Sequence, residues 1–292
     1  MHSPDQSAAS AASPFSQDAK PQLSAGTYQP YGFSNDVIGW ISEAWSLGQK
    51  SFGLQFAMLL VVGGVTFLTS LVLGGAFVGA GCAIGKEFFS AFIITGGILG
   101  IGLMYFGYLL ALCGCFAVLE GSARGEESSF SENIRTIMAL ATRLAGLFVA
   151  TGVVGSLIMG IGGSVSMVGT LLGSTALTFV GFLVLIVVMV VTFPMLYMSA
   201  IIMTVEETSI IESIKLGFNR TIPHIGQLLL GMFILCCAMF AVLIAVGIPI
   251  TLLSVIVPFF GFIVQMVSLV ITPFSNAWFF VVYGNLRDQA EA

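Results

Sequence analysis

Long uncharged intervals alternate with short polar segments along this chain. No charged residue lies between Lys50 and Lys86 or between Glu87 and Glu120. Residues 144–205 and 221–286 likewise hold no Asp, Glu, Lys or Arg. A helix needs ~20 apolar residues to cross the hydrocarbon of a membrane, so the first two intervals fit one span each and the last two fit two spans each. The pattern predicts an all-α integral membrane protein with six transmembrane helices.

Candidate turns group these spans into pairs. The first pair is predicted to turn near residues 85–87, the second around the Gly-Gly-Ser sequence at 162–164, and the third between Pro249 and Pro258. Glycine and proline are the residues that most often interrupt regular structure. We therefore expect three helical hairpins.

Short amphipathic segments precede the hairpins, at Asp36 to Lys50, Phe130 to Leu140 and Ser209 to Phe218. In the third segment, isoleucines fall at near-helical spacing, and Glu212 and Lys215 lie three residues apart, where helical side chains meet. Apolar residues on one face and charged residues on the other suit the surface of a membrane. Each segment is predicted to form a helix in the cytoplasmic interface.

The polar segments also resemble one another. ISEAWSLG at 41–48 aligns with IIESIKLG at 210–217, and SENIRTI at 131–137 is a weaker match. Pro273 follows Pro194 by 79 positions, nearly the spacing of the second and third segments. A repeat of one amphipathic helix plus one hairpin explains both coincidences. The predicted repeats are approximately residues 36–120, 130–207 and 209–289, within a six-span domain of residues 36–289.

Residues 1–35 are rich in Ser, Ala, Gln and Pro. They contain too few large apolar side chains to offset the entropy cost of ordering, which predicts a disordered cytoplasmic tail. No basic start followed by a short apolar run indicates a cleavable signal peptide, so we expect the first span to direct insertion.

Basic residues lie almost entirely on one side of the predicted spans. Only Lys86 lies on the opposite side. The residues on the basic side are Lys20, Lys50, Arg124, Arg135, Arg143, Lys215, Arg220 and Arg287. Because loops rich in Lys and Arg stay in the cytoplasm, both termini are predicted to be cytoplasmic.

The composition supports a membrane location and excludes several other classes. Hydrophobic residues make up 57% of the chain and charged residues 8%, whereas a soluble domain has roughly 25% charged residues. No basic patch with interleaved aromatic residues suggests nucleic acid as a partner. The five cysteines lie in apolar stretches, which favours small core residues over a disulfide framework.

Few residues are candidates for chemistry. GCAIGKE at 81–87 is one residue short of a phosphate-binding loop and lacks its Ser or Thr. His224 is the single histidine beyond the N-terminal tail, and one histidine makes neither a metal site nor a catalytic triad. We therefore expect no cofactor, no metal and no enzymatic activity.

Two groups of residues are candidate contacts. Amphipathic rings and positive charges at the ends of the spans favour the membrane interface and lipid headgroups. These interfacial candidates are Trp40, Trp45, Lys50, Arg135, Arg143, Lys215, Arg220 and His224. Inside the spans the polar candidates are Gln265 and Asn276, with the phenols of Tyr105, Tyr108 and Tyr197. Interhelical hydrogen bonding explains this second group without a substrate.

Three stretches carry a resemblance to a known family: DVIGWISEAWSLGQKSFG at 36–53, EETSIIESIKLGFNRTIPHIG at 206–226 and VVYGNLRDQ at 281–289. From Ser34 to Gln289, the chain resembles the six-helix bacterial membrane region fused to some glycerophosphodiester phosphodiesterases, and its stand-alone relatives of unknown function. The resemblance implies the six-helix fold and the bacterial cytoplasmic (inner) membrane. It implies no activity, because the catalytic barrel of the fused proteins has no counterpart here.

Two classes of function fit these observations. In the first, the protein is a non-enzymatic structural or accessory subunit that packs against lipid and other membrane proteins or further copies of itself. In the second, it is a carrier or permease for a lipid or small amphiphile, with Pro194 and Pro273 shaping a path. We favour the first. Coupling to a proton gradient is not expected, because the spans hold no carboxylate or basic residue near their middle.

Overall fold

The chain is helical throughout the part that the computed structural model describes, which comprises residues 30–126, 129–256 and 260–291. No strand occurs in these ranges, and at residues 250–268 no side chain is described. The helices are α1 (Val37–Ile84), α2 (Lys86–Arg124), α3 (Phe130–Leu171), α4 (Thr175–Val205), α5 (Ile210–Thr221), α6 (Ile225–Ile256) and α7 (Phe260–Glu291). A short 3₁₀ turn, Ile222–His224, joins α5 to α6.

Six segments of the described chain are helical, long and apolar enough to cross a membrane. They are Val37–Ile84, Phe89–Arg124, Phe130–Val154, Thr175–Val205, Ile210–Val246 and Leu269–Glu291. The predicted number of spans is confirmed at this level, and the chain has the character of a multi-pass membrane protein.

The first two amphipathic segments are not helices of their own. The carboxylate of Asp36 caps α1 by accepting a hydrogen bond from the Gly39 N–H at 2.6 Å. The helix then continues through Lys50 for 48 residues, a length of ~72 Å at 1.5 Å per residue. α3 also runs on without a break after its Ser129 cap. No proline interrupts either junction, whereas Pro223 lies in the turn that separates α5 from α6.

The turn of the second predicted pair lies ten residues later than the sequence suggested. α3 passes through residues 162–164 and ends at Leu171. The chain turns at Gly173, whose φ is +64°, and the Ser174 hydroxyl then accepts from the Leu177 N–H to cap α4. Glycines do not have to break a helix in a membrane, because no water competes for the backbone groups.

The other two turns differ in how well they were predicted. α1 meets α2 at Gly85, whose φ of +124° favours glycine, as the sequence predicted. α6 continues through Pro249 and ends at Ile256, so the predicted start of the third turn is wrong. Residues 257–259 lie outside the described chain.

Buried side chains concentrate at one end of the helices. The core draws on the beginnings of α1 and α3 and on the ends of α2, α4 and α7. Its largest fully buried members include Trp40, Phe116, Trp278, Phe280 and Tyr283. The fourth and fifth candidate spans differ. In the most apolar 18-residue window of each, only 7% and 6% of the residues are buried. The opposite ends of the helices therefore leave most of their apolar surface uncovered.

Residues 31–35, predicted to belong to the disordered tail, pack against α7. The Asn285 amide donates to the Ser34 carbonyl at 2.9 Å and to the Asn35 side-chain oxygen at 2.7 Å. The ring of Tyr31 meets that of Phe280 edge-on, with 5.5 Å between their centroids, and burial raises the pKa of the Tyr31 phenol. The described chain therefore begins and ends at the same end of the fold. Residues 1–29 lie outside the described chain.

α5 packs through small side chains. Ser213, Gly217 and Thr221, spaced four residues apart, are buried along one face, whereas Ile211 is 81% exposed. A Cβ atom on Gly217 would lie 2.5 Å from the hydroxyl oxygen of Ser199 in α4. The two backbones therefore approach closely along the small-residue face, and Ile211 points away from it.

Candidate functional site

A cavity of about 230 Å³ lies among α2, α4, α6 and α7. We call it the mid-membrane cavity. Its polar groups include Tyr108 of α2, Tyr197 of α4 and Asn276 of α7. The apolar part of its wall includes Phe193, Met232, Leu235, Met239 and Phe279, and Cys236 also lines it.

The Asn276 amide is only half satisfied within the protein. The Tyr197 hydroxyl donates to Asn276 Oδ1 at 2.5 Å, and the Tyr108 hydroxyl interacts with that of Tyr197. Asn276 is 0% exposed. Its Nδ2 group makes no hydrogen bond of ordinary geometry with the described residues, and its side chain interacts with the Cys115 thiol of α2. A buried polar group without a partner is costly. Nδ2 is therefore a weakly satisfied donor that the surrounding helices enclose.

The polar groups of the cavity lie deep between the charged ends of the helices. Tyr197 precedes Glu206 by nine residues, and Asn276 precedes Arg287 by eleven. At 1.5 Å per residue these separations are ~14 and ~16 Å, close to half of the ~30 Å hydrocarbon thickness. Tyr108 precedes Glu120 of α2 by twelve residues, which is ~18 Å along a helix. If the charged ends lie at the membrane surface, the hydroxyls and the amide lie near the mid-plane.

The cavity opens sideways between α4 and α6. Phe193 and Cys236, which line it, are both exposed. These two helices are not among the pairs that pack closely in the described part of the chain. A molecule in the surrounding lipid therefore has a lateral route to the cavity.

A second polar cluster lies at the end of the helices that holds the core. The carboxylate of Glu206, which follows α4, pairs with the Arg220 guanidinium of α5 and accepts from the Tyr283 hydroxyl of α7 at 2.8 Å. Arg287 Nε lies 3.9 Å from the same carboxylate and 3.3 Å from Glu291. The side chains of Arg220 and Glu206 are 13% and 14% exposed. Two carboxylates and two guanidinium groups thus join α4, α5 and α7.

The predicted interfacial residues occupy different environments. Trp40 is 1% exposed and donates its ring N–H to the Ser34 carbonyl at 2.7 Å. Trp45 is 56% exposed, and its ring stacks on Phe274 with 4.5 Å between the centroids. Arg220 belongs to the ion-pair cluster. Trp40 and Arg220 therefore contact the protein interior, and Trp45 presents part of its ring outward. Their position at the membrane interface stays a prediction.

The remaining basic candidates lie at the same end of the molecule. Arg143 donates to the backbone carbonyl of Glu207 at 2.7 Å, at a residue whose φ of +51° reverses the chain before α5. His224 is partly buried in the 3₁₀ turn. The exposed members are Lys50, Arg135, Arg143 and Lys215.

Comparisons of this chain with known protein families, with curated proteins and with solved structures find no match. Of the two predicted intramembrane polar residues, Asn276 lines the cavity, and the side chain of Gln265 lies outside the described part of the chain. Of the two polar clusters, the cavity is the one that offers space for another molecule.

Proposed function

We propose that this protein is a non-enzymatic accessory subunit of a membrane assembly in the bacterial cytoplasmic (inner) membrane. The observation that carries the proposal is how few residues the chain buries by itself in its apolar helices. In the most apolar 18-residue windows of two candidate spans, 7% and 6% of the residues are buried. Such surface requires lipid or another membrane protein as its neighbour. The resemblance of residues 34–289 to a six-helix bacterial membrane region is consistent with this role.

Open glycine faces support a protein neighbour in addition to lipid. A Cβ atom on Gly75 or Gly79 of α1, or on Gly97 or Gly100 of α2, would meet no atom within 4 Å. Small residues let membrane helices approach closely enough for their backbones to pack. These faces suit a helix from another subunit or from a second copy of this chain.

The proposed topology has three helical hairpins with both termini in the cytoplasm. The contacts of α1 with α2, α3 with α4, and α6 with α7 support sequential pairing. The exposed basic side chains lie at the end where the described chain begins and ends, which supports a cytoplasmic position for that end. The amphipathic parts of α1, α3 and α5 then lie at the cytoplasmic surface.

Reporter fusions test this topology. A fusion within the turn at Gly173 should report an external position, and one at Thr208, between α4 and α5, should report a cytoplasmic position. The reverse pair of results would contradict the orientation, and two identical results would mean that α4 does not cross the membrane.

Co-purification tests the accessory role. The full chain, extracted from native membranes in a mild detergent, should carry a partner in fixed stoichiometry. A Cβ atom at Gly79 would meet no atom of this chain within 4 Å, so Gly79→Leu should release a partner bound there while the protein stays folded. Leu73→Met, at an exposed position on another face of the same helix, is the matched control. A chain that purifies alone as a monomer contradicts the proposal.

A carrier of a lipid or small amphiphile is the second candidate, and the mid-membrane cavity favours it. Pro194 and Pro273 lie inside α4 and α7, each within one turn of a polar residue of the cavity. Proline removes one backbone hydrogen bond from a helix, which gives each helix a point of weakness beside the cavity. Liposomes that contain the purified protein should then exchange a labelled amphiphile faster than protein-free liposomes.

A further inference from the structure

We propose that the mid-membrane cavity holds a soft monovalent metal ion, Cu(I), between the thiolate of Cys236 and the thioethers of Met232 and Met239. The proposal goes beyond both candidate functions, because neither an accessory subunit nor a carrier of amphiphiles requires a metal. It departs from the prediction that no metal binds, which took no account of methionine sulfur.

Three sulfur-bearing side chains of α6 line this one cavity. Met232, Cys236 and Met239 follow one another at intervals of four and three residues. With 3.6 residues per turn they fall within ~60° of one another around the helix axis, and the steps along the axis are ~6 and ~4.5 Å. The methionine side chain is unbranched and has three rotatable bonds. Each thioether can therefore approach the central thiol along the helix.

These sulfur groups are accessible from the cavity. Cys236 is exposed, and Met232 and Met239 are partly exposed. The Ser275 hydroxyl of α7 donates to Met239 Sδ at 3.3 Å, which shows that this sulfur faces α7 across the cavity. Thioether sulfur is a weak acceptor, and a helical serine can donate to the carbonyl four residues earlier instead. Transfer of this sulfur to a metal therefore costs little.

The charge of the cavity selects a monovalent ion. None of its described lining residues is Asp, Glu, Lys, Arg or His, and an unpaired charge is costly inside a membrane. A thiol binds metal as its thiolate, so Cu(I) and the Cys236 thiolate together carry no net charge. A divalent ion would leave one positive charge uncompensated.

The ligand atoms select a soft metal. Thiolate and thioether sulfur favour Cu(I), whereas Mg²⁺ and Ca²⁺ bind oxygen. Among the residues that the structure describes, no group of three or more His, Cys, Asp or Glu side chains is placed to hold a metal, so the usual ligand set of zinc is missing there. On binding, the S–H bond of Cys236 breaks, a Cu–S bond forms and the proton passes to the buffer. Copper enters and stays as Cu(I), so no electron is transferred.

Anaerobic titration of the full chain with Cu(I) tests the proposal. The protein, purified in a mild detergent, competes for the ion with bathocuproine disulfonate, a chelator whose Cu(I) complex is coloured. We expect one Cu(I) per chain and one proton released per bound ion. X-ray absorption at the copper edge should show sulfur ligands only, and excess Zn(II) should not displace the ion.

Variants in α6 test each ligand. Cys236→Ser should lose the bound ion. Met232→Leu and Met239→Leu should each weaken Cu(I) binding by at least about tenfold, because loss of an outer partner of a metal ligand already costs about that factor. Leucine keeps the approximate volume and the apolar character of methionine. The unfolding temperature in detergent checks that the variants fold.

Two controls are matched to these changes. Cys237→Ser removes an exposed cysteine that lies ~100° from Cys236 around α6 and does not line the cavity. Met138→Leu removes an exposed methionine of α3. Both variants should bind Cu(I) like the natural chain.

Several outcomes would overturn the proposal. Cu(I) binding that survives in Cys236→Ser would place the ion elsewhere, and equal losses in Cys236→Ser and Cys237→Ser would indicate binding by any exposed thiol. Unchanged affinity in both Met→Leu variants would mean that the thioethers are not ligands. A natural chain that binds no Cu(I), or releases it to Zn(II), contradicts the proposal directly. None of these results bears on co-purification or amphiphile exchange, so both candidate functions stand or fail separately.

Discussion

The Tyr197 hydroxyl donates a hydrogen bond to Asn276 Oδ1 across 2.5 Å, and the two residues are separated by 79 positions in the sequence. Each lies three residues after the proline of its helix, Pro194 in α4 and Pro273 in α7. Corresponding positions of these two helices therefore meet in the buried interior. The pair also forms part of the wall of the mid-membrane cavity.

Tyr197→Phe should destabilise the protein by about 1 kcal/mol, because it leaves the buried carbonyl of Asn276 without its donor. Thermal unfolding in detergent measures the loss. Tyr105→Phe, at an exposed tyrosine, should change the unfolding temperature little. Adding Asn276→Leu to Tyr197→Phe should recover stability. A double variant that loses more free energy of unfolding than the two single variants together would contradict this account.

Glu206→Gln should destabilise the protein by about 3 kcal/mol, because the Arg220 and Arg287 guanidinium groups lose their shared carboxylate in a mostly buried cluster. The matched control is Glu120→Gln, whose ion pair with Arg124 lies within one helix and is more exposed. That pair should contribute less than about 1 kcal/mol. Chemical or thermal unfolding of both variants checks the difference. Equal losses would mean that the cluster does not join the helices.

Gly217→Ala should weaken the docking of α5 on α4 by about 1–3 kcal/mol, the usual cost of overpacking. The new Cβ would lie 2.5 Å from the Ser199 hydroxyl and 3.1 Å from the Met195 carbonyl oxygen. Gly226→Ala in α6 meets no atom within 4 Å, so it should be neutral or slightly stabilising. Hydrogen exchange of the α5 amides should rise in the first variant alone. Unchanged exchange in Gly217→Ala would show that α5 has room to shift.

The cap of α1 should depend on pH through Asp36. The carboxylate accepts from the Gly39 N–H, and this hydrogen bond lowers the pKa of Asp36 in the folded chain. Its contribution is therefore complete above the unfolded pKa of ~3.9 and is lost as the pH falls through the lower folded value. Protection of the Gly39 amide against hydrogen exchange should fall in that range.

Asp36→Asn separates capping from charge. Asparagine caps a helix about as well as aspartate and does not titrate, so the pH dependence of Gly39 protection should disappear while the protection itself remains. Asp36→Ala should lower the protection at every pH. A pH dependence that persists in Asp36→Asn would assign the effect to another group.

The number of spans was predictable because it depends on length and composition alone. Charge-free intervals are visible in the sequence without knowledge of any contact. The Gly-Gly-Ser sequence at 162–164 predicts a break there, but the structure turns at residues 172–174. The better signal was Gly173 followed by Ser174, since a glycine with positive φ often ends a helix and a serine often begins the next one.

The candidate site was only partly predictable because it depends on which helices are neighbours. Asn276 and Tyr197 stand out in the sequence as polar residues in apolar spans, but their hydrogen bond requires α4 to lie against α7. The charge of Arg220 lies near a span end, which favours the membrane interface. Its partner, Glu206, comes close because the chain reverses at Glu207, whose positive φ the sequence does not signal.

The concentration of buried side chains at one end of the helices affects how the molecule keeps its shape. Near residues 31–59, interlocking side chains set the distances between helices. Farther along the spans, the space between helices has to be filled by acyl chains or by a neighbouring protein, so the spacing there follows the surroundings. The thickness and composition of the bilayer thereby become determinants of this protein's conformation, alongside its own sequence.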